Sequence, residues 1–599
     1  MAYFAILLSS ALLLQAQSTD SKVFSVRCGG CHGADGKGGE RGPRIGSDRG
    51  DLAKIIRDGA GTMPPQRLPA GEMAAIERFV RPLLVGPKPA NAASIVPSKG
   101  SSRDWPTYHG NLSGNRYSPL AQVHRGNIGQ LAPRWMYTVK SAGLHEATPI
   151  VADGVMYITA ANEVNAIDPR DGREIWRFSR PRSKELIGDT SSGINRGVAL
   201  KGNQVFTVTD NAHILALDRL TGRLLWETEM ADAAKHYGST SAPLVAGDVV
   251  IAGVSGGDEG ARGFLDAYYT STGERAWRFW TVPAPGEPLS ETWRGKAIDH
   301  GCATTWFTGT YDPEAGLVYW PTGNPCPDYN GDERQGDNLY SNSVLALEPA
   351  TGKLRWYFQY TPHDLHDWDA TQTPVLVDRM FHGRPRKLLL HANRNGYFYA
   401  LDRLTGEFLQ ATPFVKKLTW ASAIDAKGRP VVNPAATPTP EGVTACPAVE
   451  GATNWFSVAH HPETGLFYLM ALEKCSIYTK EPGPWEKGKS YYNGDTKRVP
   501  DEKPAKFLRA LDPETGRIAW ERPGMGSGGT WGGVLATAGG LVFYCDDSGA
   551  FAAADAKSGK LLWKFPTNTS WKASPMTYMI DGKQFIVVQA GSTVLVFGL

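Results

Sequence analysis

The sequence predicts an all-β eight-bladed propeller preceded by a small, mainly α domain. Three observations carry this expectation. A phrase that turns on glycine and closes on tryptophan recurs six times between residues 165 and 563. Near the N-terminus a glycine-flanked C-x-x-C-H is followed by a segment of helical period. Between the two lies a stretch rich in proline, glycine and serine.

The repeat comes first because it organises most of the chain. NAIDPRDGREIW ends at Trp176, LALDRLTGRLLW at Trp226, DAYYTSTGERAW at Trp277, LALEPATGKLRW at Trp356, RALDPETGRIAW at Trp520 and AAADAKSGKLLW at Trp563. YALDRLTGEFLQ, residues 399–410, keeps the phrase without the tryptophan. Each copy reads as a strand, a tight turn bearing an acid and a glycine, and a strand ending in an indole. Repeats of this length made only of strand and turn indicate propeller blades, each a four-stranded sheet that cannot bury both faces alone. The tryptophans are expected to staple each blade to the next. Seven copies are visible and a degenerate one is expected around 445–475, which makes eight.

At the N-terminus, MAYFAILLSSALLLQAQ, residues 1–17, carries an apolar run too short to span a bilayer and reads as an export signal, which predicts a periplasmic protein, with an uncleaved anchor as the alternative. No later segment reaches 18 apolar residues. Cys28, Cys31 and His32 then form the attachment signature of a c-type haem, two thioethers and one axial imidazole. A C-x-x-C pair alone also suits redox or metal chemistry. The glycine-rich turns, and Met63 in GTMPP as the sixth ligand, favour haem. Met73 competes for that place, but GEMAAIERFVRPLL sets Met73, Ile76, Phe79 and Val80 on one helical face, so Met73 is expected in the core. Residues 20–85 are thus a cytochrome c domain, 86–103 a linker and 104–599 the propeller.

With 63 basic and 60 acidic residues, the chain offers no basic stripe and hence no argument for nucleic-acid binding. In an oxidising compartment, Cys302 with Cys326 and Cys446 with Cys475 are the natural pairs by order. Spacing alone leaves connectivity open, and Cys545 would be a buried free thiol. Long intervals at 278–303 and 410–450 are expected to cap one end of the propeller axis.

The stretch TPHDLHDWDATQTP, residues 361–374, concentrates Asp364, Asp367 and Asp369. In extended backbone, residues two apart face the same way, which puts Asp367 and Asp369 in one site with Trp368 turned aside. Two carboxylates so close need a cation or a shared proton.

From 104 to 599 the sequence resembles the pyrroloquinoline-quinone-dependent alcohol dehydrogenases. With its leading cytochrome it is similar to their quinohaemoprotein members, although the better-known fused examples carry the haem domain at the C-terminus. The resemblance implies a quinone lying across the propeller axis over a cation. Thr304 and Trp306 of TTW supply its floor; Arg196 of GINRG, Thr240 of STSAP, and Ser255, Gly256 and Gly257 of VSGGDEG hold its carboxylates and edge. Arg394 of ANRNG contacts its reactive oxygens, and Asn454 and Trp455 of GATNW close its rim. The implied metal ligands are Asn324 of PTGNPCP, Asp367, which is also the general base, and Asp258, one methylene shorter than the family's glutamate, with Glu259 as its competitor. An acid two residues beyond the base marks the family's lanthanide users, so Asp369 implies a lanthanide in place of calcium. The family's adjacent cysteine pair is replaced by Thr190 and Ser191. The implied activity is oxidation of a small-molecule alcohol to an aldehyde or ketone, with electrons passing through haem to a soluble cytochrome or another periplasmic acceptor. A sugar, polyol or polymeric alcohol such as polyvinyl alcohol is the alternative substrate. A propeller that merely scaffolds other proteins would need neither Trp306, Asn324 and Asp367 nor a haem.

Overall fold

The structure, a computed structural model, describes residues 19–32, 52–58, 65–84, 103–140, 146–184 and 186–599. Two compact units result, an N-terminal one and a much larger one of sheets. The expected export signal and Met63 lie outside the described residues, as does all but the end of the expected linker.

In the N-terminal unit, helices span 19–27, Gly29–His32, Leu52–Asp58 and Ala70–Leu84. Phe24, Ile56, Ile76 and Val80 form its buried cluster, and Cys28, Met73 and Phe79 pack against it. Met73 therefore belongs to this core, as its helical spacing predicts. Bidentate ion pairs, Arg27 with Glu72 and Arg78 with Asp20, tie the first helical stretch to the last helix.

Among the described residues of the larger unit, seven sheets have four strands and one has five. Blades 1 to 5 begin with the inner strands Ile150–Ala152, Ala199–Lys201, Leu244–Ala246, Thr310–Asp312 and Val375–Phe381. Blade 6 runs from Ala459–His460 to Ile518–Arg522, and blade 7 from Leu535–Thr537 to Leu561–Pro566, with Tyr117–Ser118 added in parallel. Most inner and middle strands are buried nearly throughout, whereas outer strands such as Glu174–Ser179 alternate buried and exposed residues. That pattern suits sheets packed face to face around an axis with only their rims in water.

The eighth blade is not where the repeat count put it. Phe467–Glu473 is the second strand of blade 6, and Val443–Ala445 pairs with Ser476–Lys480 in a separate three-stranded sheet. Blade 8 is instead built from the last strands, Met576–Ile580, Lys583–Ala590 and Thr593–Gly598, and completed by Ala132–Thr138 from the start of the propeller. Pairing this early strand with the last one within one blade closes the ring.

The tryptophans do join neighbours. Each turn places glycine at positive φ, as Gly352 at +69° and Gly406 at +78°, and the preceding blade's indole lies on that bare backbone. A Cβ on Gly352 would come 2.5 Å from the Trp277 ring, and one on Gly273 equally close to Trp226. The indole N–H then donates across the gap: Trp226 to Thr270 O at 3.0 Å, Trp277 to Pro349 O at 2.8 Å, Trp356 to Arg403 O at 3.2 Å and Trp520 to Ala556 O at 3.2 Å. Trp135 of the closing strand lies on Gly172 in the same way. Where the phrase lacks its indole, Gln410 takes over, its amide oriented to donate to Glu514 O at 2.7 Å and accept from Gly516 N at 3.1 Å.

Arg116 is fully buried where segments leading to three inner strands meet. Its guanidinium donates to Thr148 Oγ1 before blade 1, Ser457 Oγ before blade 6 and Pro575 O before blade 8. Burial lowers its pKa to about 10. Both cysteine pairs are formed as expected, Cys302–Cys326 and Cys446–Cys475, and Cys545 is a buried free thiol.

Candidate functional site

In an antiparallel blade, the loop entering the first strand and the loop joining the second to the third emerge at the same end. Every propeller residue assigned above to the quinone or the cation lies on one of these two kinds of loop. Arg196, Thr240, Thr304, Trp306, Asp367, Asp369, Asn454 and Trp455 precede inner strands; Ser255 to Asp258, Asn324 and Arg394 follow second strands. Strand order alone therefore sets them on one face.

Near the axis the site is aromatic. Arg196 lies with its guanidinium carbon 4.8 Å from the Trp306 ring centre and 5.1 Å from that of Trp455. It donates to Thr240 Oγ1 at 2.8 Å and to Glu146, an acid the sequence reading missed. Thr240 Oγ1 in turn donates to Trp306 O at 3.2 Å. Trp455 stacks on Trp531, centroids 6.4 Å apart, and Phe307 packs edge-on against Trp306. Trp531 was also missed, although GGTWGG sets an indole outside the repeated phrase just as TTW does.

Beside this wall is a cluster of carboxylates. Asp367 and Asp369 both face Arg394, at 3.6 Å and 2.8 Å, but not through extended backbone. Asp367 sits at φ +59°, in the left-handed region, so the expected strand-like alternation is replaced by a tight turn. Asp364 shapes that turn, accepting from His366 N at 3.0 Å and Trp368 N at 2.7 Å. Trp368 is turned aside and fully buried, its N–H donating to Ala448 O at 2.9 Å. Asn324 N donates to Asp369 Oδ1 at 2.9 Å, and Asn324 Nδ2 to Asp328 Oδ1 at 3.0 Å. Asp328, four residues past Asn324 in NPCPD, is a buried acid the sequence reading did not weigh. Asp258 accepts from Tyr492 O–H at 3.2 Å. Glu259 points elsewhere, since a Cβ on Gly188 would fall 1.6 Å from its Oε1.

The electrostatics follow from burial and crowding. Burial first, then the charges of Asp369, Asp258 and Asp364, push Asp367 well above the ordinary carboxylate range, with Arg394 opposing. Asp328 is pushed well above it by burial and by Asp367 and Asp258, and Asp369 is raised chiefly by burial. Among the described residues no three His, Cys, Asp or Glu side chains already close into a metal centre. The donors nonetheless suit a hard cation, being carboxylate and amide oxygens with more negative charge than Arg394 offsets. Asp328 Oδ2 is buried with no hydrogen-bond partner.

The quinone-holding set also fits a flat polyanion. Ser255 Oγ, Arg196 Nε and Arg394 Nε are buried without partners. Gly256, at φ +102°, admits no side chain, because a Cβ would meet His236 O at 1.9 Å. One on Gly257 would meet Thr304 Oγ1 at 2.8 Å. Asn454 is committed to its own loop, donating to Glu450 O and accepting from Trp455 N. Thr190 and Ser191 lie on the short helix Gly188–Ser191 and donate back to Ile187 O and Gly188 O.

Of the two expected caps, the 410–450 interval reaches the 361–374 loop and Arg394. His366 Nε2 lies 3.0 Å from Ala436 O, and Arg394 Nη2 donates to Val449 O at 2.6 Å. An unforeseen excursion at 481–493 covers the 258 turn: Tyr491 N donates to Asp258 O at 2.6 Å and Trp485 Nε1 to Glu259 O at 2.9 Å. In the N-terminal unit, Cys31 N and His32 N both donate to Cys28 O, setting the two cysteines and His32 on one turn beside the apolar cluster. That arrangement suits a thioether-linked haem.

Residues 105–412 and 508–586 match the family model of the glucose/ethanol/alcohol dehydrogenase β-propeller domain. Residues 16–80 match that of cytochrome c oxidase, cbb3-type, subunit III. The quinoprotein alcohol dehydrogenase PedH of Pseudomonas putida is 37% identical over 80% of this chain and 84% of its own. The crystal structure of a quinohemoprotein alcohol dehydrogenase from Comamonas testosteroni superposes with a TM-score of 0.78 at 34% identity, covering 85% of this chain and 81% of that one. A europium-containing methanol dehydrogenase superposes at 0.79 with 30% identity, over 84% and 99%.

Proposed function

Because this chain belongs to the pyrroloquinoline-quinone-dependent alcohol dehydrogenases, in their quinohaemoprotein form, we propose that its alcohol is activated at Asp367. When bound, the quinone supplies a two-electron acceptor, the cation polarises it, and haem c carries the electrons onward singly. The chain's own residues do the rest. Asp367 Oδ2 takes the hydroxyl proton, and its exposure favours that role: its side chain is 24% exposed whereas that of Asp369 is 10%. Arg394 Nη2, 3.6 Å from Asp367, holds the carboxylate in place and offsets negative charge as it develops. Arg196, wedged between Trp306 and Trp455, grips a cofactor carboxylate with its fork, and Trp306 presents the flat wall.

Asn324, Asp367, Asp369 and Asp258 are the proposed cation ligands, and Asp369 favours a lanthanide. Its carboxylate accepts from Asn324 N, Arg394 Nη1 and the Trp306 side chain, which leaves one of its about four acceptor positions for an ion. The likeness to a europium-containing methanol dehydrogenase agrees with that choice. We place the protein in the periplasm on the strength of its two disulfides, which call for an oxidising compartment. No described helix is long and apolar enough to cross a membrane.

The observation that carries the reading is the convergence of Asp367 and Asp369 on Arg394, next to the partly open indole of Trp306. Asp367→Asn is expected to retain bound quinone while lowering turnover with an artificial acceptor by about a thousandfold or more. Turnover within about tenfold of the parent would remove Asp367 from the role of base.

A further inference from the structure

We infer that Asp328 is a fourth carboxylate of the cation site and that it sets the site's preference for a trivalent over a divalent ion. This rests on the proposal that Asn324, Asp367, Asp369 and Asp258 hold a cation. Asp328 is 1% exposed. Its Oδ1 accepts from Asn324 Nδ2 at 3.0 Å, while Oδ2 is buried with no hydrogen-bond partner. A carboxylate taken out of water in this way stays ionised only if something cationic faces it, and otherwise takes up a proton.

The nearest guanidinium does not serve. Arg334 is fully buried and spends its donors on other groups: Pro327 O at 3.0 and 2.8 Å, Asp328 O at 3.2 Å, Asp364 O at 2.6 Å and Asn338 Oδ1 at 2.9 Å. It pins the backbone of Asp328 to that of the loop bearing Asp367 and leaves the Asp328 carboxylate alone. The neighbouring charges that act on Asp328 are Asp367, Asp258 and Asp369, all of its own sign, and Arg334. Arg394 is already shared between Asp367 and Asp369.

The five carboxylates of Asp258, Asp328, Asp364, Asp367 and Asp369 against Arg334 and Arg394 leave three negative charges. A trivalent ion matches them and a divalent one does not. At a fixed distance, each carboxylate attracts a trivalent ion half as strongly again as a divalent ion. Removing Asp328 must therefore weaken lanthanide binding more than calcium binding.

The test is a calorimetric titration of metal-stripped, full-length protein with lanthanum chloride and with calcium chloride. Parent, Asp328→Asn and Asp367→Asn are compared, each first checked for a cooperative melt. For Asp328→Asn the expected result is lanthanum affinity lowered at least tenfold and calcium affinity lowered less. Equal losses for both ions, or none, would overturn the inference. If Asp367→Asn loses lanthanum while Asp328→Asn keeps it, only the role of Asp328 falls. If the parent binds neither ion, the cation site itself falls and this inference with it. Should Asp328→Asn fail to fold, a crystal structure of the lanthanum-loaded parent decides. Asp328 Oδ2 within about 2.6 Å of the ion supports the inference, and an oxygen outside that reach overturns it.

Discussion

Asp367 is held at φ +59° in the left-handed region, which aspartate tolerates better than most residues other than glycine and which often marks functional loops. Asp364 provides part of the constraint by accepting two backbone N–H groups of the same turn. The result is a carboxylate aimed at Arg394 among others of its own sign, whose pKa values are raised above the ordinary 3.8. The sign of the pH effect follows. A raised pKa means the carboxylates take up protons before ordinary ones do, and each proton competes with the cation. Lanthanum affinity is therefore expected to fall on acidification well above the usual carboxylate range, as titrations at stepped pH would show. Affinity that stayed flat until near pH 4 would mean these groups titrate as ordinary carboxylates. Asp367, Asn324 and Arg394 were legible because each sits in a distinctive short phrase. Asp328 and Glu146 were not, because nothing local in the chain says which distant group an acid will face.

Among the elements, the outer strands that end in an indole depend on it. Trp277 is 9% exposed, lies on Gly352 and donates to Pro349 O, so one side chain fills the gap and satisfies a carbonyl of the next blade. Trp277→Ala is expected to cost about 3–5 kcal/mol, the range for a buried aromatic cut to alanine. Denaturant unfolding would measure it, and a loss below about 1 kcal/mol would show that these indoles do not couple neighbours. Gln410 explains how the repeat survives without tryptophan between blades 5 and 6, where an amide reproduces the cross-gap hydrogen bonds. The repeated phrase reveals the staples because the same gap recurs and selects the same residues. It is silent about the excursion at 481–493, which packs over the 258 turn through contacts made once only.

At the scale of the molecule, oxidation and electron transfer are coupled in one chain, since the family carries the quinone in its propeller and a haem c precedes it here. Adding a primary alcohol to the loaded protein is expected to reduce the haem, seen in its visible band, and Asp367→Asn is expected to abolish that reduction. Haem that stays oxidised while an artificial acceptor turns over would show that electrons leave by another route. The sequence by itself determined the propeller, because recurring packing problems impose recurring residues, and it offered the cysteine pairs that the fold then formed. Only the tertiary structure decided where the eighth blade lies. It is closed by Ala132–Thr138 pairing with Thr593–Gly598, a contact between the ends of the propeller that no local pattern announces. Tertiary structure likewise decided that Asp367 reaches its place through a left-handed turn and that Asp328 is buried with its carboxylate against Asn324. Backbone conformation and long-range proximity are settled by what the rest of the chain packs against a residue, and its neighbours in sequence do not record that.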